Sequence, residues 1–155
     1  MKNNCEVRII DLTRFLDHRG ALTVIEELKD IPFSIKRAYW IYGVPGDETR
    51  GEHAHHEQQQ IIIAISGSFE VTVDNGVSKH TYRLNDPSKG LYISAGIWNT
   101  LKNFSEGSVC MVLASGSYDK NDYIQEYEEF IKIKQRDNFT TYEILNIPIF
   151  PRFKK

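Results

Sequence analysis

Short runs rich in β-branched and aromatic residues recur along this chain, at 7–10, 21–26, 35–42, 60–65, 68–73, 78–84, 91–94 and 108–114. Turn-forming residues stand between them. Many short strands closed by turns pair into an all-β sandwich or barrel, because a parallel α/β sheet needs a crossover helix between successive strands. Asp74-Asn75-Gly76, between two alternating runs, predicts a tight hairpin. Gly67, Gly90 and Gly96 fall where a strand ends or backbones approach closely. Helical spacing occurs once: Tyr123, Ile124, Tyr127, Phe130 and Ile131, after candidate caps Asp119 and Asn121, predict one C-terminal helix on the outside of the β-structure.

At 155 residues and 41% hydrophobic content the chain can bury one core. The reading is one domain over 1–135 and an extension over 136–155. In that extension Ile147-Pro148-Ile149-Phe150-Pro151 is an apolar, proline-spaced strip that cannot be helical and is expected to lie over the domain or a partner subunit. A net charge of −2 gives no bulk basic field for nucleic acid or an anionic membrane, so an anionic ligand must be met by local arginines. No run approaches the roughly 20 apolar residues that span a bilayer. The first residues, Met1-Lys2-Asn3-Asn4-Cys5-Glu6, lack the apolar region of a signal peptide, which leads us to expect a cytoplasmic protein. Cys5 and Cys110 make no disulfide scaffold, and Cys110 reads as a buried strand thiol.

Arg50-Gly51-Glu52-His53-Ala54-His55 carries the chemistry. Side chains two apart on a strand share a face, so His53 and His55 point the same way and His56 the other. A His-x-His pair after a glycine turn is similar to the start of a cupin barrel (a double-stranded β-helix, or jelly roll). Metal-binding cupins add a Glu four residues after the second His and a further His in a later motif. Here those places hold Gln59 and, in Ser94-Ala95-Gly96-Ile97-Trp98-Asn99, Asn99. Neutral amides are poor ligands for zinc- or iron-class ions, so we expect no metal. Gln59 and Asn99 are instead expected to face the cavity beside the imidazoles. Imidazoles titrating near pH 6.5 suit proton transfer at physiological pH. His18 and His80 have no visible partner and receive no role.

The chain resembles the bacterial nucleotide-sugar 3,4-ketoisomerases, the WxcM-like cupins that act on dTDP-4-keto-6-deoxyglucose. The resemblance is carried by Asp17-His18-Arg19-Gly20, Ile31-Pro32-Phe33-Ser34-Ile35-Lys36-Arg37, the His53–His55 segment, Gly90-Leu91-Tyr92, Val112-Leu113-Ala114-Ser115 and Tyr118-Asp119-Lys120-Asn121-Asp122-Tyr123-Ile124. It implies a carbonyl shift from C4 to C3 through an enediol, with no metal and no redox cofactor. His53 is then the base, Tyr39 the shuttle between the two sugar oxygens, and His55 a second acid/base or orienting group. Arg19, Arg37 and Arg50 are implied as substrate-binding, with bidentate arginine suited to a diphosphate. Gln59, Trp98 and Asn99 complete the implied contacts. The resemblance also implies a homodimer and, downstream, a PLP-dependent aminotransferase that makes a 3-amino-3,6-dideoxysugar. Asn99 departs from the family's usual His or Arg after Trp, which leaves the C4 configuration of the product open. Three alternatives stand: a dTDP-sugar 3,5-epimerase-like enzyme, a non-catalytic nucleotide-sugar-binding cupin and, more remotely, a metal-dependent dioxygenase.

Overall fold

The structure, a computed structural model, describes residues 5–144. Its strands are β1 (Val7–Asp11), β2 (Thr13–Asp17), β3 (Gly20–Val24), β4 (Arg37–Tyr42), β5 (Arg50–His55), β6 (Gln60–Ser66), β7 (Phe69–Asp74), β8 (Lys79–Leu84), β9 (Lys89–Ile93), β10 (Trp98–Lys102), β11 (Val109–Ala114) and β12 (Tyr123–Ile124). One helix, α1 (Tyr127–Ile144), follows. Two five-stranded antiparallel sheets, ordered β1-β9-β6-β11-β4 and β12-β5-β10-β7-β8, face each other, and β2-β3 forms a separate hairpin. This is the expected cupin barrel with a C-terminal helix.

Three apolar layers hold it together. Phe69, Val71, Leu91, Ile93, Leu101, Cys110 and Val112 are among the side chains that fill the space between the sheets. Ile10, Leu12, Ile31, Phe33, Ile61, Ile63 and Leu113 cover the other face of the first sheet. The third layer, Ala54, Trp98, Ile124 and Phe130, seats α1 on the second sheet. Strand β6 therefore reads as an unbroken apolar run, Ile61-Ile62-Ile63-Ala64, because both its faces are covered. Cys110 is buried as expected, and burial pushes its thiol up to about 12.

Several local expectations change. The helix starts at Tyr127, not near Tyr123: Asp119 caps a single 3₁₀ turn at Lys120–Asp122, and Tyr123 and Ile124 then pair with His55 and Ala54 at the edge of β5. Spacing alone could not separate the two, since Ile124 is buried in the same layer as Phe130. Helix α1 also continues across the expected boundary at 135/136. The strip at 147–151 lies outside the described residues. Residues 75–78 form a longer loop than the tight hairpin expected, with Asn75 Oδ1 accepting from the Val77 and Ser78 amides. Strand β2 carried no periodic signal because every residue in it is exposed. Among the described residues no helix is long and apolar enough to cross a membrane.

Candidate active site

A bulge aims the first histidine. On β10, Asn99 pairs with His53 and Thr100 with Gly51, so Glu52 is left over at φ +58°. Gly51 sits at φ +82°, and a Cβ there would lie 2.9 Å from the Asn99 carbonyl oxygen; only glycine fits. Downstream of this kink His53 lines a cavity of about 830 Å³ together with Arg37, Tyr39, Arg50, Asn99, Tyr118 and Tyr123. Strand β4 supplies Arg37 and Tyr39 because alternate residues face inward, while Trp40 and Tyr42 face out.

The hydrogen bonds set the tautomers. His53 Nδ1 lies 3.0 Å from the Gly51 carbonyl oxygen, which can only accept, so Nδ1 carries the proton and Nε2 a lone pair. That Nε2 is buried and has no partner. His55 Nδ1 donates to Asp122 Oδ2 at 2.9 Å, and its Nε2 accepts from Gln58 Nε2 at 3.2 Å. Desolvation lowers both imidazoles from their ordinary value: His53 by burial first, and His55 to about 4 by burial and then by the neighbouring His53. Both rings are therefore neutral at pH 7. Tyr39 is pushed up to about 12, by burial first and then by Tyr123, so its hydroxyl keeps its proton.

Arg37 donates from Nη2 to Gln58 Oε1 at 3.1 Å and to the Tyr123 hydroxyl at 3.4 Å, and its guanidinium lies 5.1 Å from the Tyr39 ring centre. Its Nε, like His53 Nε2, is buried without a partner. Buried polar atoms are almost always satisfied, so two orphans on residues lining one cavity mark the place where a polar ligand belongs. A neutral base, a protonated phenol and a half-buried cation together can accept a carbon-bound proton, move an oxygen-bound one and stabilise an oxyanion.

The expected site residues divide. His53, Tyr39, Arg37, Arg50 and Asn99 converge on the cavity, and Asn99 Nδ2 donates to the His53 carbonyl oxygen at 3.2 Å. His55 shares the face of His53 but lies behind it, with both nitrogens engaged and none free for substrate or an ion. Gln59 does not face the cavity: it accepts from the Tyr92 hydroxyl at 2.7 Å, because the turn after His55 resets strand parity and delivers Gln60 instead. Trp98 points to the other side of β10, against Tyr127 and Phe130. Arg19 sits exposed at the β2–β3 turn, paired with Asp17 at 2.6 Å, outside the cavity. Sequence reasoning missed Tyr118, Tyr123, Asp122 and Gln58. The first three lie in the segment 118–124 that carried the family resemblance, and nothing in the pattern distinguished Gln58 from its neighbour. Among the described residues no group of three or more His, Cys, Asp or Glu is placed to hold a metal.

The family model "FdtA: WxcM-like, C-terminal" matches residues 5–135. The chain belongs to that family. It is 42% identical over 127 residues to the TDP-4-oxo-6-deoxy-alpha-D-glucose-3,4-oxoisomerase of Aneurinibacillus thermoaerophilus, covering 82% of this chain and 91% of that one. A mutant of the 3,4-ketoisomerase QdtA from Thermoanaerobacterium thermosaccharolyticum, solved in complex with TDP-4-keto-6-deoxyglucose, superposes with a TM-score of 0.83 at 39% identity, covering 88% of this chain and 96% of that one. The TDP-quinovose 3,4-ketoisomerase WlaRB from Campylobacter jejuni gives 0.79 at 39%, covering 85% and 99%.

Proposed function

We propose that this protein is an isomerase that moves the carbonyl of a dTDP-4-keto-6-deoxyhexose from C4 to C3. The observation that carries the reading is the unpartnered, unprotonated Nε2 of His53, buried among the residues of the cavity. This nitrogen takes the C3 proton, giving an enediolate whose charge faces the half-buried Arg37 cation. Tyr39 donates its hydroxyl proton to the C4 oxygen and recovers one from the C3 hydroxyl. His53 returns its proton to C4. The shift is redox-neutral within the substrate and every proton has a carrier, so the step calls for neither metal nor redox cofactor. Each acid–base transfer is worth on the order of 10² to 10⁴ in rate. Arg50, exposed at the rim, suits the diphosphate.

Because His55 offers no free nitrogen, one imidazole serves both carbons. A single base works from one face of the ring. In a gluco-configured substrate H3 points to the face opposite the one H4 occupies in glucose, so delivery to C4 from the H3 face yields the galacto epimer. Asn99, which hydrogen-bonds but does not trade protons, adds no second base. The product's C3 carbonyl is a substrate for a PLP-dependent aminotransferase, consistent with a cytoplasmic step toward a 3-amino-3,6-dideoxysugar. A homodimer is part of the proposal: Phe15, Leu16 and Leu22 on the hairpin and Trp40 and Tyr42 on edge strand β4 are exposed apolar surface, and an exchanged hairpin brings Arg19 to a neighbouring subunit.

The test is incubation with dTDP-4-keto-6-deoxyglucose in D₂O, followed by NMR. We expect a 3-keto product with axial O4, carrying deuterium at C4 in the fraction of turnovers in which the proton on His53 exchanges with solvent before its return. A carbonyl that stays at C4 while C5 exchanges would instead make the protein an epimerase, and tight dTDP binding without turnover would make it a binding protein.

A further inference from the structure

Behind the cavity runs a single file of hydrogen bonds whose polarity is set at one end. Asp122 is a carboxylate and can only accept, so it draws the His55 proton to Nδ1 at 2.9 Å. His55 Nε2 then has only a lone pair to offer, and the amide nitrogen of Gln58 donates to it at 3.2 Å. With its nitrogen committed, Gln58 can present only Oε1 on its other side, and that oxygen accepts from Arg37 Nη2 at 3.1 Å. His55 and Gln58 are nearly fully buried, at 2% and 5% exposure, so water does not supply alternative partners. Asp122 is itself held by the turn: Oδ1 accepts from the Glu57 backbone N–H at 2.8 Å, and Oδ2, the oxygen that also takes the His55 proton, accepts from the Gln58 backbone N–H at 3.3 Å.

From this geometry we infer that Gln58 is a positioning residue, oriented by Asp122 through the His55 tautomer, which fixes the Arg37 guanidinium beside the reacting carbons. The inference rests on the isomerase reading above and assigns these three residues a part in it that none plays by touching substrate. Reversing the first bond reverses the whole file. In Asp122→Asn the amide oxygen stays with the Glu57 backbone N–H, the shorter contact at 2.8 Å, and the NH₂ turns to His55 Nδ1, giving up the longer 3.3 Å bond from the Gln58 backbone N–H. His55 then carries its proton on Nε2, Gln58 flips to accept it, and an NH₂ group faces the Arg37 cation. Adding Gln58→Glu repairs this without changing net charge: one carboxylate oxygen accepts from His55 Nε2–H and the other from Arg37.

The experiment compares parent, Asp122→Asn, Gln58→Leu and the double variant Asp122→Asn/Gln58→Glu. It uses the keto sugar turnover assay, thermal melting, and ¹⁵N NMR of the His55 ring and the Arg37 Nε. We expect Asp122→Asn to move the His55 proton to Nε2 and to lower kcat by about 10²-fold, the scale of a small misplacement of a catalytic group, while KM changes little. Gln58→Leu, which leaves the turn held by Asp122 intact, should lose kcat similarly. The double variant should keep the new tautomer and regain most of the kcat. A parent that turns over, paired with a double variant no better than Asp122→Asn, overturns the inference. So does an Asp122→Asn protein with unchanged kcat. A parent that fails to isomerise the sugar is a different result and removes the functional reading itself.

Discussion

Strand β10 separates two buried environments that treat polar groups in opposite ways. On one side Trp98 packs edge-on to Tyr127 at 5.2 Å and against Phe130 at 5.7 Å, sealing α1 to the second sheet. Its buried acid, Asp74, is fully answered: Tyr127 donates to it at 2.6 Å, the Gly76 amide at 2.7 Å, and Lys79 lies at 3.4 Å. On the other side, one residue along the strand, Asn99 faces a cavity lined by His53 and Arg37, each with a buried nitrogen that has no partner. An unanswered buried polar group costs roughly 1–3 kcal/mol. The helix junction avoids that cost and the cavity retains it. The helix side is built for stability, and the cavity side holds its nitrogens free for a ligand.

The contrast can be broken in order of expected effect. His53→Asn should lower kcat by about 10²- to 10⁴-fold, with an unfolding midpoint close to the parent's, since the lost nitrogen had no partner to lose. A variant that keeps its activity, measured by NMR turnover, would detach the base from the cavity. Phe130→Ala acts on the other side: 0% exposed in the parent, it should cost about 3–5 kcal/mol in urea unfolding, while the surviving folded fraction keeps the parental KM.

Acid should separate the two sides next. His53 and His55 have folded-state values below their unfolded one, so the unfolded chain takes up protons first as pH falls. Stability is thus full above about 6.5 and is lost as pH drops toward the folded value of about 4 for His55. Unfolding measured across that window should show this loss, and His55→Gln should flatten it; a stability independent of pH between these values would mean the rings are not neutral when folded. The smallest effect belongs to Tyr127→Phe, which removes one bond to Asp74 and should cost about 1 kcal/mol with kcat unchanged.

Much of the site was legible from alternation. Arg37 and Tyr39 share a face on β4, and His53 follows a glycine whose neighbour is close enough to exclude any side chain. Counting failed where the chain left the strand. The turn at 56–59 reset parity, so Gln59 went to Tyr92 and Gln58 went to His55. Spacing also failed at Tyr123, whose helical period with Tyr127 concealed two residues of edge strand. Trp98 and Asn99 read as one motif but face opposite sides of β10.

By itself the sequence determined the β-barrel class, the outer helix, the inward-facing histidine and the family, because these follow from local period, turn chemistry and ordered motifs. Only the tertiary structure decided that the two histidines are unlike: one keeps a free lone pair, while Asp122, 67 positions away in the chain, engages the other. A tautomer is set by whichever acceptor lies within hydrogen-bond reach. That reach exists only after β12 has docked on β5, a long-range pairing that no local pattern encodes.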